Sequence, residues 1–154
     1  MAIPEGIRSV TTEWLTDALG IGGHGSNAAV TSFRSERVGE EQGWTGELAR
    51  LELSYSEHVE GAPSSVIAKF SPPDPDHVFS LHEVQFYKEI AAGRDFPVPY
   101  CHYGEADPRT GAAVLLLEDL SRLRTVRFVD GCTPADAEAA VMCLARVHAA
   151  WWGH

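Results

Sequence analysis

The spacing of apolar residues along the chain predicts five short strands. The alternation is clearest over residues 48–55, where apolar side chains fall on one face and polar side chains on the other. Four further apolar segments, each bounded by turn residues, predict strands over residues 30–38, 65–70, 100–105 and 112–118. The last two strands flank a turn at residues 107–111 that contains Pro and Gly, so they should form a hairpin.

Helical spacing appears in three other places. Thr11 and Thr12 offer N-caps for a short helix that ends at Gly20, and residues 79–92 form a second helical segment before Gly93. Thr133 and Pro134 begin a long helix that extends to residue 152. The order of elements is helix, three strands, helix, two strands, linker and long helix. This order predicts an α+β fold with a five-stranded antiparallel sheet.

Composition and charge argue for a single domain or lobe and against a nucleic-acid-binding or membrane-binding protein. The chain has 154 residues, of which 44% are hydrophobic, enough for the core of one domain or lobe. Twelve basic and 22 acidic side chains give a net charge of -10, which disfavours nucleic acid and anionic membranes as partners. The amino terminus lacks a leader pattern and no apolar run could span a bilayer, so we expect a cytoplasmic location.

One lysine lies inside an apolar strand, where an ammonium group needs a partner. Lys69 is one of two lysines in the chain, and Glu83 occupies the apolar face of the helix that follows its strand. A direct ion pair between them would satisfy both charges and leave a donor for nucleotide phosphates. The alternative is that Lys69 extends to solvent and Glu83 lies at the edge of the helix.

Two more segments could contribute to a nucleotide site. Residues 39–46 are rich in glycine and join the first two strands, so their backbone N–H groups could approach phosphates; an ordinary hairpin turn is the alternative. Residues 114–120 form an apolar run that turns acidic at Glu118, as a buried strand does when it leaves the core at a cleft. A core strand that simply ends at the surface would explain this run equally well.

Seven short blocks follow one another along the chain: GWTGEL at residues 43–48, RL at 50–51, VIAK at 66–69, EVQFY at 83–87, PVP at 97–99, LLLEDL at 115–120 and LARVHAAWW at 144–152. In this order they resemble the kinase-like fold of the aminoglycoside phosphotransferase, choline kinase and ecdysteroid kinase-like group, with the ecdysteroid kinase-like branch the most similar. The resemblance covers nearly the whole chain. It implies a protein-kinase-like amino-terminal lobe at residues 1–120, in which one helix packs on the sheet. Residues 121–154 would then be a linker and the first helix of a carboxyl-terminal lobe.

The resemblance also implies roles for individual residues. Lys69 would hold the phosphates of ATP, Glu83 would hold Lys69, and Gly43 and Gly46 would form a lid. Backbone groups of Glu118 and Leu120 would contact the adenine. Such enzymes phosphorylate the hydroxyl group of a small molecule.

The family's catalytic base and metal ligands follow the Trp-Trp helix and have no counterpart here. We therefore expect a fragment or truncated form that is inactive alone, with no catalytic or metal-binding residue, and Mg²⁺ only in the presence of the second lobe. A non-catalytic α+β module that binds a nucleotide or a protein is the alternative.

The long carboxyl-terminal helix carries a broad apolar stripe. The linker before it is polar and should carry the helix away from the sheet. We therefore expect Trp151 and Trp152 to be substantially exposed and available for association. The residues of the stripe are Ala137, Ala140, Val141, Leu144, Val147, His148 and Trp151.

Overall fold

The computed structural model shows an α+β fold built on one five-stranded antiparallel sheet. It describes residues 1–22, 27–39, 46–73, 78–124, 126 and 128–153. The predicted strands are confirmed, and each end lies within one residue of its predicted position. The strands are β1 (Val30–Arg37), β2 (Glu47–Tyr55), β3 (Ser65–Ser71), β4 (Cys101–Ala106) and β5 (Ala113–Glu118). The α-helices are α1 (Thr12–Ala18), α2 (Val78–Gln85) and α3 (Pro134–Ala150).

The order of the strands places β5 in the interior of the sheet. The order is β1-β2-β3-β5-β4, so β5 pairs with β3 on one side and with β4 on the other. All five residues from Ala113 to Leu117 are buried, whereas Glu118 is exposed. The continuous apolar run and its acidic end therefore belong to an interior strand that leaves the core at Glu118.

Helices cover both faces of the sheet, and this differs from the expectation of one packed helix. The larger core lies under α1, where Leu15 packs with Leu51, Val66 and Phe70, all 0% exposed. A smaller core on the opposite face joins Val84 of α2 to Ala113, Leu115 and Leu117. The short amino-terminal helix thus completes the principal core, because it covers the apolar face of β2, β3 and β5.

The second helix is shorter than its pattern predicted. Regular α-helix ends at Gln85, and a π-helical turn over Phe86–Ile90 replaces the last turn expected to reach residue 92. A π-turn adds one residue to a helical turn and therefore shifts the positions of the residues that follow it. The three- and four-residue spacing of the apolar residues did not reveal this change.

The long carboxyl-terminal helix is the least packed element. The predicted start of α3 at Thr133 and Pro134 is confirmed, and a capping box forms there, since the Thr133 hydroxyl accepts from the Asp136 N–H and the Asp136 carboxylate accepts from the Thr133 N–H. None of the residues of α3 is buried, and the exposed stripe is as expected. Among the described residues, no helix combines the length and the apolarity needed to cross a bilayer.

The two tryptophans after α3 differ in their surroundings. Trp152 is 85% exposed, as predicted. Trp151 is only partly exposed because the Arg94 guanidinium lies over its ring, 4.3 Å from the ring centroid, so the prediction of substantial exposure was wrong for this residue. An ion pair of Arg146 with Asp95 also ties α3 to the segment before β4.

Fluorescence quenching tests this difference. Trp152→Phe should lower the acrylamide quenching constant of the total tryptophan emission, because it removes a ring that solvent reaches freely. Trp14→Phe is the control, since Trp14 is 9% exposed and its loss should raise the quenching constant. An unchanged quenching constant in Trp152→Phe would contradict the exposed position of that ring.

Candidate functional site

The predicted ion pair between Lys69 and Glu83 is confirmed. The Lys69 Nζ atom lies 2.8 Å from Oε1 and 2.6 Å from Oε2 of Glu83, so the ammonium donates to both carboxylate oxygens. The two side chains are 23% and 34% exposed, which leaves the pair accessible from one side. An ammonium group has three N–H donors. Among the described residues, one donor of Lys69 has no partner and remains for a ligand.

The local sequence explains why the pair forms at this place. Lys69 lies on β3 opposite Leu115 of β5, and α2 packs over β4 and β5 on the same face of the sheet. Ser80 and Val84 of α2 are 6% and 4% exposed, so the helix is held against the sheet on either side of Glu83. This packing places the Glu83 carboxylate at the edge of α2 that faces β3.

The glycine-rich segment is only partly described. Gly43 lies outside the described residues, as do residues 40–42, 44 and 45, so the predicted lid stays a prediction there. Gly46 has φ +89°, and a Cβ atom on it would lie 2.1 Å from the Phe70 carbonyl oxygen. Only glycine fits this position, because β2 begins in direct contact with the backbone of β3.

On the face of the sheet that carries α2, the helix packs over β4 and β5, while β2 and β3, including Lys69, are left partly uncovered. Leu48 lies opposite Lys69 and Arg50 lies opposite Ile67, so these four side chains share one face of β2 and β3. All four are partly exposed. We call this surface the open face. It combines two apolar side chains with two cations, each of which is bound to a carboxylate.

The backbone at the end of β5 has free and occupied groups. The Glu118 N–H donates to the Tyr100 carbonyl at 2.7 Å, while the Tyr100 N–H donates to the Glu118 carboxylate and not to its carbonyl oxygen. The Leu120 carbonyl accepts from the Leu123 N–H at 2.8 Å. Among the described residues, the Leu120 N–H has no hydrogen-bond partner. Within the part of the chain that the structure describes, the segment thus retains the Glu118 carbonyl as an acceptor and the Leu120 N–H as a donor, two residues apart.

A cleft of about 1210 Å³ lies at this end of the sheet. Its walls include Arg50, Ser65 and the segment from Glu118 to Leu120. Lys69 is not part of the walls, but it lies on the same face of β3 as Ser65. They are four positions apart, which is about 13 Å along a strand. The cleft, through Arg50, and the ion pair, through Lys69, therefore lie at the two ends of the open face.

The carboxylate of Asp119, in the wall of this cleft, is almost fully buried, and the sequence analysis did not assign it to the site. The Asp119 side chain is 5% exposed and accepts from Arg50 Nε at 2.7 Å and Ser65 Oγ at 2.7 Å. It also accepts from the Ser121 N–H at 2.9 Å. Burial alone would raise the pKa of Asp119, but the hydrogen bonds from Ser65, Ser121 and Arg50 hold it well below its usual range.

We call Arg50, Ser65, Asp119 and Ser121 the Asp119 cluster. The sequence showed Arg50 as a polar residue in an alternating strand and Asp119 as part of an acidic strand end; both belong to blocks of the family resemblance, but neither was given a role. Their contact joins residues 69 positions apart, which alternation within a single strand does not reveal. Within the described ranges, no group of three or more His, Cys, Asp and Glu side chains could hold a metal ion.

Comparison of the chain with family models, with curated proteins and with solved structures finds no significant match.

Proposed function

We propose that the chain is the nucleotide-binding lobe of a small-molecule phosphotransferase of the aminoglycoside phosphotransferase and ecdysteroid kinase-like type, and that it binds ATP. One observation carries the proposal. Among the described residues, Lys69 keeps one N–H without a partner at one end of the open face. At the end of β5, the Tyr100 N–H does not donate to the Glu118 carbonyl, and the Leu120 N–H has no partner among the described residues. Ile67 lies on β3 between these two ends.

The phosphate end of the proposed site is Lys69. Glu83 fixes the position of the ammonium and occupies two of its donors, so the remaining N–H can bind a phosphate oxygen. Because Glu83 also balances the charge of Lys69, attraction of phosphate depends on geometry more than on net charge. The glycine-rich segment that begins at Gly39 and ends at Gly46 would supply backbone N–H groups nearby.

The base end is the segment from Glu118 to Leu120. Adenine presents an amino donor next to a ring-nitrogen acceptor, and the free Glu118 carbonyl and Leu120 N–H complement these two groups. Ile67, two positions after Ser65 on the same face of β3, would contact the flat face of the ring, whereas Leu48, opposite Lys69, would lie nearer the phosphates. The separation of about 13 Å between Ser65 and Lys69 fits an extended nucleoside triphosphate along β3.

Catalysis in this proposal needs a second lobe. Phosphoryl transfer depends on metal ions that neutralise charge and on a base that orients the acceptor hydroxyl, and these groups would come from that lobe. The apolar stripe of α3 would pack against it, since α3 has no buried residue against the sheet. Mg²⁺ and the small-molecule alcohol would bind between the two lobes.

Equilibrium binding of ATP to the purified chain tests the proposal directly. Isothermal titration calorimetry should show one site for ATP, because the groups proposed to bind the base and the phosphates all belong to this chain. Weak binding is expected, since ligands at such a site are normally enclosed on both sides. Absence of any ATP binding at millimolar nucleotide would reject the proposal.

Competition between nucleotides tests the base end separately. The chain should bind ATP at least about tenfold more tightly than GTP, because guanine presents an acceptor and a donor where adenine presents the opposite groups. Inorganic tripolyphosphate is the control for the phosphate end and should bind more weakly than either nucleotide. Equal affinity for ATP and GTP would contradict the role of Glu118 and Leu120.

A further inference from the structure

The Asp119 cluster connects three parts of the chain at the point where β5 ends. Asp119 Oδ2 accepts from Arg50 of β2 and from Ser65 of β3, both at 2.7 Å. Asp119 Oδ1 accepts from the Ser121 N–H at 2.9 Å. Both carboxylate oxygens are therefore occupied, and the side chain is almost fully buried. A buried carboxylate with this many donors is held in one orientation.

The cluster controls the peptide groups on either side of Leu120. Asp119 is the first residue after β5, and its carboxylate is bound to Arg50 of β2 and to Ser65 of β3. Its bond to Ser121 then fixes the chain two residues further on. Leu120 lies between these two attachments, and its carbonyl is held by the Leu123 N–H. Without these contacts the segment beyond the last sheet pairing would rotate freely, and the Leu120 N–H would have no fixed direction.

We propose that Asp119 is a positioning residue for nucleotide binding, which fixes the Leu120 N–H and Glu118 carbonyl in the direction of the base, with Arg50 and Ser65 as its anchors. The inference rests on the proposed function and deepens it. The Leu120 N–H and the Glu118 carbonyl bind the base, and the buried Asp119 carboxylate, which does not touch the base, holds them in position. A segment fixed in advance loses less conformational entropy when the ligand binds. The effect of Asp119 should therefore be confined to the base end of the site.

Two ligands separate this role from a general effect on folding. ATP uses both ends of the site, whereas inorganic tripolyphosphate can use only the phosphate end at Lys69. Asp119→Asn keeps the size of the side chain but removes the charge and replaces one acceptor oxygen by a donor. The variant should bind ATP about tenfold more weakly than the unmodified chain, with unchanged tripolyphosphate affinity.

Asp107→Asn is the matched control. Asp107 lies at the opposite end of β5, in the turn between β4 and β5, where it also accepts the N–H of the residue two positions later, at 2.8 Å. It likewise pairs with an arginine, Arg109. This variant should bind both ligands like the unmodified chain. Ser65→Ala serves if Asp119→Asn does not fold, and should weaken ATP binding about threefold without affecting tripolyphosphate.

The results distinguish the inference from the proposed function. Unchanged ATP affinity in folded Asp119→Asn would overturn the inference while ATP binding itself stands. An equal loss for ATP and tripolyphosphate would also overturn it, because the cluster would then support the whole sheet. If the unmodified chain binds tripolyphosphate as tightly as ATP, the base site and the role of Asp119 both fail. If the chain binds neither ligand, the proposed function fails as well.

Discussion

Lys69→Ala should lower the affinity of the chain for ATP by about 10- to 100-fold. The substitution removes the ammonium that we propose as the phosphate donor, and it leaves the Glu83 carboxylate facing the phosphates without its counter-ion. Both changes disfavour a polyanion. The affinity for tripolyphosphate should fall by at least the same factor, since this ligand has no base that could bind elsewhere in the site. Calorimetric titration of both ligands measures the effect.

Lys88→Ala is a close control for this experiment. Lys88 is the only other lysine, and it lies on the π-helical turn, 53% exposed and 3.7 Å from Glu105. Its removal changes the net charge by the same amount but leaves the open face intact, so ATP affinity should change by less than about twofold. Glu83→Gln gives a further comparison, because it keeps the ammonium but loosens its position. A Lys69→Ala variant that still binds ATP like the control would reject the assignment.

Gly46→Ala should destabilise the chain by about 2–5 kcal/mol, because a left-handed backbone strains a residue with a Cβ atom and a clash adds to this cost. The clash is severe, since the new Cβ atom would lie 2.1 Å from the Phe70 carbonyl oxygen. That oxygen belongs to the backbone of β3 and cannot turn aside. Thermal unfolding should show a midpoint roughly 5–15 °C lower.

Gly61→Ala isolates the contribution of the clash. Gly61 has φ +78°, similar to the +89° of Gly46, but a Cβ atom there would meet nothing within 4 Å. Its substitution should cost only the backbone strain, about 1–2 kcal/mol. Equal losses of stability in the two variants would mean that β2 does not begin against the backbone of β3 as the structure shows. ATP affinity in Gly46→Ala is expected to fall too, because the start of β2 also positions Leu48.

Local sequence determined the elements of this protein. The strands and caps follow from patterns that lie within a few residues of one another, such as the alternation in β2 and the Thr133 capping box. The ion pair of Lys69 with Glu83 was also predictable, because two charges in apolar surroundings on consecutive elements each require a partner. The strands and caps needed only short-range spacing; for the ion pair, spacing left a solvent-exposed Lys69 as an equal alternative, and the order of the blocks in the family resemblance favoured the pair.

The tertiary structure decided how these elements combine. It placed β5 between β3 and β4, put the principal core under α1, and covered Trp151 with Arg94. The π-helical turn after α2 depends on packing that apolar spacing does not encode.

The Asp119 cluster shows the physical reason most clearly. Arg50 is polar in an alternating strand, and Asp119 is one of two acidic residues at a strand end, so each residue alone suggests solvent exposure. They form an ion pair, in which the Asp119 carboxylate is buried and Arg50 is partly exposed, only because β3 lies between β2 and β5 and brings Ser65 to the same carboxylate. A contact across 69 residues is fixed by strand order and register, and these are properties of the assembled sheet.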